Sequence, residues 1–244
     1  MNYEQIDYKI KTIGSMSEVL DAIVIGEFFK NNLVYNICEL GAGNGGWGII
    51  AEFLADQKIC ENYYLVDNFI WQTQHQEIVS NEYNLSWKNS PDELQTFVQS
   101  NMQTNAYIIE ESTRSKDFKN NFIKKFKNNK LDVLRIDCYI DLHVLIDIID
   151  NCLSEIGYVF YDDIRLNCGF HRVRQVLHLM YEKNFYPIFF ANQEGLLTNN
   201  KDIAQEQIQK IIDNQKNNYF CTEQIDVVKK IKWIRINEFS TIHN

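Results

Sequence analysis

The residues of this chain best suited to chemistry are Glu39-Leu40-Gly41-Ala42-Gly43-Asn44-Gly45-Gly46. Closely spaced glycines let a backbone turn through positive φ and leave its N–H groups uncovered by side chains. The stretch follows an apolar run, Val34 to Cys38, that reads as a buried strand, and it precedes Trp47 to Leu54, which reads as a helix. A strand, a glycine turn and a helix N-terminus together present backbone donors to a nucleotide-like ligand. Glu39 narrows that ligand, because a carboxylate at the strand end suits an ammonium or sulfonium group and repels a pyrophosphate. Gly41, Gly43 and Gly46 also satisfy the dinucleotide spacing, so the glycines alone leave both ligand types open.

Other acids stand where predicted strands end. Tyr63 to Val66 is apolar and closes on Asp67, 24 positions after Gly43. An acid there hydrogen-bonds the ribose hydroxyls in nucleoside-binding α/β folds. Leu131 to Ile136 closes on Asp137, and Gly157 to Tyr161 closes on Asp162 and Asp163. If these two strands are neighbours, three carboxylates converge, and a divalent cation would relieve their repulsion. Oxygen donors favour Mg²⁺ over zinc, and such a metal would acidify a bound hydroxyl. The plainer readings are a helix cap for Asp163 and solvent exposure for Asp162.

The elements that must position these groups alternate. Met16 to Lys30 reads as a leading helix, and Ala106 to Glu111 as the third strand. Helical patterns cover Lys116 to Lys130, Leu142 to Leu153 and Phe170 to Tyr181, and Tyr186 to Phe190 with Gly195 to Thr198 reads as a closing antiparallel pair. The pattern predicts an α/β fold: a Rossmann-like, doubly wound, mostly parallel seven-stranded sheet with a terminal antiparallel hairpin. The division expected is an N-terminal helical segment over 1–30, a ligand-binding domain over 31–199 and a C-terminal extension over 200–244. Within the extension, Asn199 to Asn218 reads as a polar helix or linker, and Ile225 to Phe239 as an added strand or cap. Phe69 to Trp87 reads as a lid, a helix or peripheral packing.

Composition bounds the partners. The net charge of −9 lacks the basic stripe that a broad nucleic-acid surface needs. No apolar run reaches the length of a membrane span, and the N-terminus has no signal-peptide pattern. The six cysteines show no C-x-x-C spacing and read mainly as small buried hydrophobes. A cytoplasmic, reducing-compartment protein is expected, with a small-molecule partner, without nucleic acid or membrane, and compatible with a homo-oligomer.

Glu39-x-Gly41-x-Gly43-x-Gly45 resembles the first motif of class I S-adenosylmethionine (SAM) methyltransferases. Ile136-Asp137, then a helix, then Gly157 to Asp163, then a helix with Arg172-Val173, looks like the small-molecule group that includes macrolide sugar O-methyltransferases and cephalosporin-hydroxylase-like proteins. The resemblance covers Met16 to Asn199. It implies Glu39, Gly41, Ala42, Gly43, Asn44, Gly45, Asp67, Asn68, Glu111, Ser112 and Asp137 around SAM, and Mg²⁺ on Asp137, Asp162 and Asp163. The family's general-base histidine follows the fourth-strand Asp by three residues, where this chain has Ile140; His143 and His171 are the nearby candidates. The expected activity is methyl transfer to a small-molecule acceptor, a hydroxyl of a sugar or natural product, with Mg²⁺ assistance. The rivals are an NAD-dependent oxidoreductase, which lacks a Tyr-x-x-x-Lys pair here, and a non-catalytic methyltransferase-like binding domain.

Overall fold

The structure is a computed structural model that describes residues 3–13, 18–68, 90–164, 170–214, 220–228 and 231–238. The segment read as a lid lies outside the described residues, as do Arg165, Cys168 and most of the loop before Phe170.

Two helices, α1 (Tyr3–Ile13) and α2 (Val19–Asn31), precede β1 (Val34–Leu40). Then follow α3 (Gly46–Ala55), β2 (Cys60–Asp67), α4 (Pro91–Asn101) and β3 (Asn105–Glu110). The second half runs α5 (Phe118–Phe126), β4 (Leu131–Ile136), α6 (Leu142–Cys152), β5 (Leu153–Tyr161) and α7 (Phe170–Glu182). The chain closes with β6 (Tyr186–Phe190), β7 (Gly195–Thr198), α8 (Lys201–Asn214), β8 (Phe220–Val228) and β9 (Ile231–Glu238).

Nine strands form one sheet, ordered β3-β2-β1-β4-β5-β7-β6-β9-β8, rather than the seven expected. Only β7 and β8 run against the rest. The two extra strands come from the C-terminal extension, which joins the sheet by pairing β9 in parallel with β6. The polar stretch after Asn199 is a helix because Ala204, Ile208 and Ile211 recur on one face and bury it.

Period-2 alternation decides which side chains meet. Ile37, Tyr63, Leu65, Val133, Tyr158, Phe160 and Leu196 enter one apolar cluster with α1, α2, α3, α4 and α8. Cys38, Leu40, Tyr64, Val66, Leu134, Ile136, Val159, Tyr161 and Leu197 enter the other, with α5, α6 and α7. Helices therefore cover both faces of the sheet, as the doubly wound reading requires. No helix among the described residues is long and apolar enough to cross a membrane.

Helix α1 falls in the helical segment expected over 1–30, whereas α4 lies outside the sequence expectations. The signal for α4 is local: Ser90 accepts from the Glu93 N–H at 3.2 Å and Pro91 opens its first turn. The side chains of α4 then seal the outer edge of β3. Ala106 N donates to Gln99 Oε1 at 3.2 Å and Ile108 N to Gln95 Oε1 at 3.1 Å, while the two amide nitrogens return bonds to the Thr104 and Ala106 carbonyls.

Candidate functional site

The carboxyl ends of the parallel strands carry the site. Where β1 ends, Gly41 N donates to Val66 O at 2.8 Å, and Gly41, Gly43 and Gly45 take φ of 84°, 52° and 73°. Only glycine adopts this left-handed region without strain. Space is equally restrictive, since a Cβ on Gly41 would lie 2.4 Å from the Asp137 carbonyl oxygen. Asn44 holds the turn by accepting from Gly46 N at 3.0 Å and donating to the Ile13 carbonyl at 3.1 Å.

Asp67, at the end of β2, accepts from Gly43 N at 3.0 Å, so the strand-end acid and the glycine turn form one rim. Its carbonyl accepts from Glu111 N at 2.9 Å, which brings the end of β3 into the same rim. The sequence-predicted Gly41, Ala42, Gly43, Asn44, Gly45, Asp67, Asn68, Glu111 and Ser112 are thus contiguous strand-end segments.

Glu39 is placed differently from its expected role. It sits opposite Arg135 in the β1–β4 register, and alternation turns both below the glycine turn. Its side chain is buried, receives the Tyr63 hydroxyl, and accepts from Arg135 Nη1 at 2.6 Å. This carboxylate faces the protein interior and does not stand at the crevice to meet a ligand cation.

Arg135 organises the second half of the site, and sequence reasoning passed over it. It is only 4% exposed. Nε and Nη2 donate to Glu194 Oε1 at 3.1 and 2.8 Å, Nη1 also reaches Asp137 Oδ2 at 3.0 Å, and Nη2 reaches Asp162 Oδ2 at 2.8 Å. The Trp47 ring lies 5.2 Å from the guanidinium. Burial alone would lower the Arg135 pKa, but Glu194, Asp137, Glu39 and Asp162 hold it well above its ordinary value. The available signal was a lone arginine inside the apolar strand Leu131 to Ile136, which could be buried only against carboxylates.

These contacts correct the metal reading. The structure does bring Asp137, Asp162 and Asp163 together on adjacent strands. Their charge is met by arginine, however. Besides Arg135, Arg172 stands 3.6 Å from both Asp137 Oδ1 and Asp163 Oδ2 and donates to the Asp162 carbonyl. Two guanidinium groups among the donors oppose a divalent cation, so this arrangement does not fit Mg²⁺. No group of metal-ligating side chains occurs among the described residues. Asp163, at φ 57°, is held by its N–H donating to Asp162 Oδ1 at 2.8 Å.

Neither histidine candidate stands ready as a base. His171 is stacked on Tyr139 at 4.6 Å, and its Nε2 lies 2.8 Å from the Ile140 carbonyl. Gln175 Nε2 lies 3.0 Å from the same nitrogen, so Nε2 is engaged within the protein whichever tautomer it holds. His143 is exposed on the first turn of α6. Two hollows, of about 220 and 340 Å³, border Asn32–Tyr35 and Lys9 with Phe53, both away from the glycine turn.

No family model matches the chain, and none of the curated proteins matches it. Among solved structures, the chain is similar to the O-methyltransferase NovP, at 15% identity over 77% of this chain and 86% of that one, with a TM-score of 0.45. It is also similar to CalS11, a TDP-rhamnose 3'-O-methyltransferase of calicheamicin biosynthesis, at 9% identity over 80% of each chain and a TM-score of 0.47. A methyltransferase from Geobacter sulfurreducens aligns at 10% identity over 80% of this chain and 85% of that one, again at 0.47. At such identities and scores the likeness is one of chain path and carries nothing about chemistry.

Proposed function

We propose that this chain is a SAM-dependent methyltransferase with a small-molecule acceptor. The observation that carries this reading is the joined rim of the Gly41–Gly45 turn and Asp67. Three glycines bend the turn through positive φ, a Cβ on Gly41 or Gly45 would collide with Asp137 or with Leu65 and Val98, and the ribose-type acid is fixed to the turn by the Gly43 N–H. Asp67 and Asn68 would take the ribose, the Glu111–Ser112 corner the base, and the turn the remainder of the nucleoside. SAM supplies a methyl group on a sulfonium, which is activated enough that positioning delivers much of the rate.

One feature favours a single nucleoside over NAD. The burial of Glu39 removes that residue from the comparison, and an acid in the place of Asp67 serves the ribose of either ligand. However, β5 is flanked by the antiparallel β7, whereas a dinucleotide sheet continues in parallel into its second nucleotide half. The hydroxyl reading expected Mg²⁺ assistance and a histidine base; two arginines stand among the carboxylates and His171 Nε2 is engaged by Ile140 and Gln175, so neither aid supports it here.

Calorimetric titration with S-adenosylhomocysteine, with NAD run in parallel, tests the reading. Micromolar binding of the first alone is expected, and Asp67→Ala should weaken it about tenfold or more, the scale of one lost charge-assisted hydrogen bond. Binding of NAD alone overturns the assignment.

A further inference from the structure

Resting on the methyl-transfer reading, we infer that Arg172 anchors the methyl acceptor and that this acceptor carries an aromatic carboxylate. Arg172 lies in the first turn of α7, where that helix meets the ends of β4 and β5. Its guanidinium stands where the sequence placed a divalent cation, with Nη1 3.6 Å from Asp137 Oδ1 and Nη2 3.6 Å from Asp163 Oδ2. Both separations are beyond hydrogen-bond length, so they are contacts of charge alone.

The two guanidinium groups of the site differ in what they have left to give. Arg135 directs Nε, Nη1 and Nη2 to carboxylates. Arg172 makes a single hydrogen bond among the described residues, from Nη1 to the Asp162 carbonyl, so most of its N–H donors are uncommitted. They differ in access too. The Arg135 side chain is 4% exposed and that of Arg172 13%, while Asp137 and Asp163 beside Arg172 are 28% and 26% exposed. The network is closed at Arg135 and open at Arg172. Nor is the charge of Arg172 used up by its neighbours. Asp137 also meets Arg135, and burial, followed by the Asp162 charge, pushes its carboxyl well above the usual range towards the neutral form.

The surroundings of Arg172 are cationic and aromatic. Tyr139 is 46% exposed and stacks on His171, the residue before Arg172, with the rings 4.6 Å apart. The Arg114 guanidinium lies 5.1 Å from the same Tyr139 ring and forms no ion pair among the described residues. In a chain with 33 acids against 24 lysines and arginines, a cation held by a ring rather than by an acid is open to a ligand. A guanidinium lying on an aromatic ring keeps its N–H fork free for a planar anion. A carboxylate accepts two parallel bonds from such a fork, each stronger than a bond between neutral groups. An aromatic ring attached to it would lie beside Tyr139 and His171. Arg172 thus does the binding task expected of Mg²⁺, holding the acceptor by a negative oxygen, without a metal.

Benzoate and its neutral counterpart benzamide, titrated by calorimetry into the complex with S-adenosylhomocysteine, test the anchor. Benzoate should bind about tenfold or more tightly than benzamide, with or without EDTA. Arg172→Met, or the milder Arg172→Gln, should abolish that preference while S-adenosylhomocysteine still binds, which shows the variant to be folded. Arg114→Met, on a separate and exposed loop, should reduce it severalfold. Equal affinity for the two probes, binding of neither, a preference that survives these substitutions, or a requirement for Mg²⁺ overturns the anchor and leaves the methyl-transfer reading standing. Failure of S-adenosylhomocysteine to bind the folded wild type overturns that reading and the anchor with it.

Discussion

Arg135 is worth more to this protein than its single place in β4 suggests. It neutralises buried Glu39 and Glu194 and holds Asp137 and Asp162 at the crevice. Removing one partner of a buried ion network leaves charges with no compensation, a loss of about 3–5 kcal/mol. Arg135→Met should therefore lose about that much in urea unfolding, and a change below about 1 kcal/mol would show that the network is not needed for folding. Asp21 predicts a pH effect. Burial lifts its pKa from 3.8 to about 7, as it lifts Glu39 from 4.5 to about 7. The folded chain then holds more protons than the unfolded chain between about pH 4 and 7. The contribution of these groups to stability is thus full below pH 4, falls as pH rises through the window, and levels off above it. Asp21→Asn should flatten the fall between pH 5 and pH 7.5 by roughly 1 kcal/mol or more. Urea midpoints at the two pH values check this, and an unaltered slope would remove Asp21 as its source.

At the scale of elements, α4 and β3 show how an exposed sheet edge is closed. Unpaired strand edges invite pairing with other chains. Here Gln95 and Gln99 take over the ladder bonds that a further strand would make. Gln95→Leu keeps the bulk but strips partners from Ile108 N and Ala106 O. The expected cost is about 1–3 kcal/mol, read as a lower urea midpoint, together with concentration-dependent association by light scattering. A variant that stays monomeric at unchanged stability would show that water serves the edge equally well. The glycine turn was legible because its demands are local: positive φ and close backbone approach restrict the residue type whatever the rest of the fold does. The capping signal at Ser90-Pro91 was equally local and was passed over.

At the scale of the whole molecule, β8 and β9 complete the sheet. Ile234 and Ile236 are fully buried, within the same cluster as Ile188, Phe189, Ile208 and Ile211. Burying such side chains is worth about 1.5–3 kcal/mol each, so deleting residues 215–244 should lower Tm by about 10 °C or more and expose the β6 edge. An unchanged Tm would make the extension a passive addition. By itself the sequence determined the alternation of strands and helices, the glycine turn, and the strand-end position of Asp67, Asp137, Asp162 and Asp163, because periodicity and turn chemistry act over a few residues. Only the tertiary structure decided what the carboxylates meet. Asp137, Asp162 and Asp163 read as a metal triad when Arg135 and Arg172 are out of view, and Glu39 reads as a ligand-facing acid until the register sets it against Arg135. The reason is physical: a charge is defined by its neighbours within a few ångströms, and those neighbours come from strands far apart in sequence, brought together only by the sheet order.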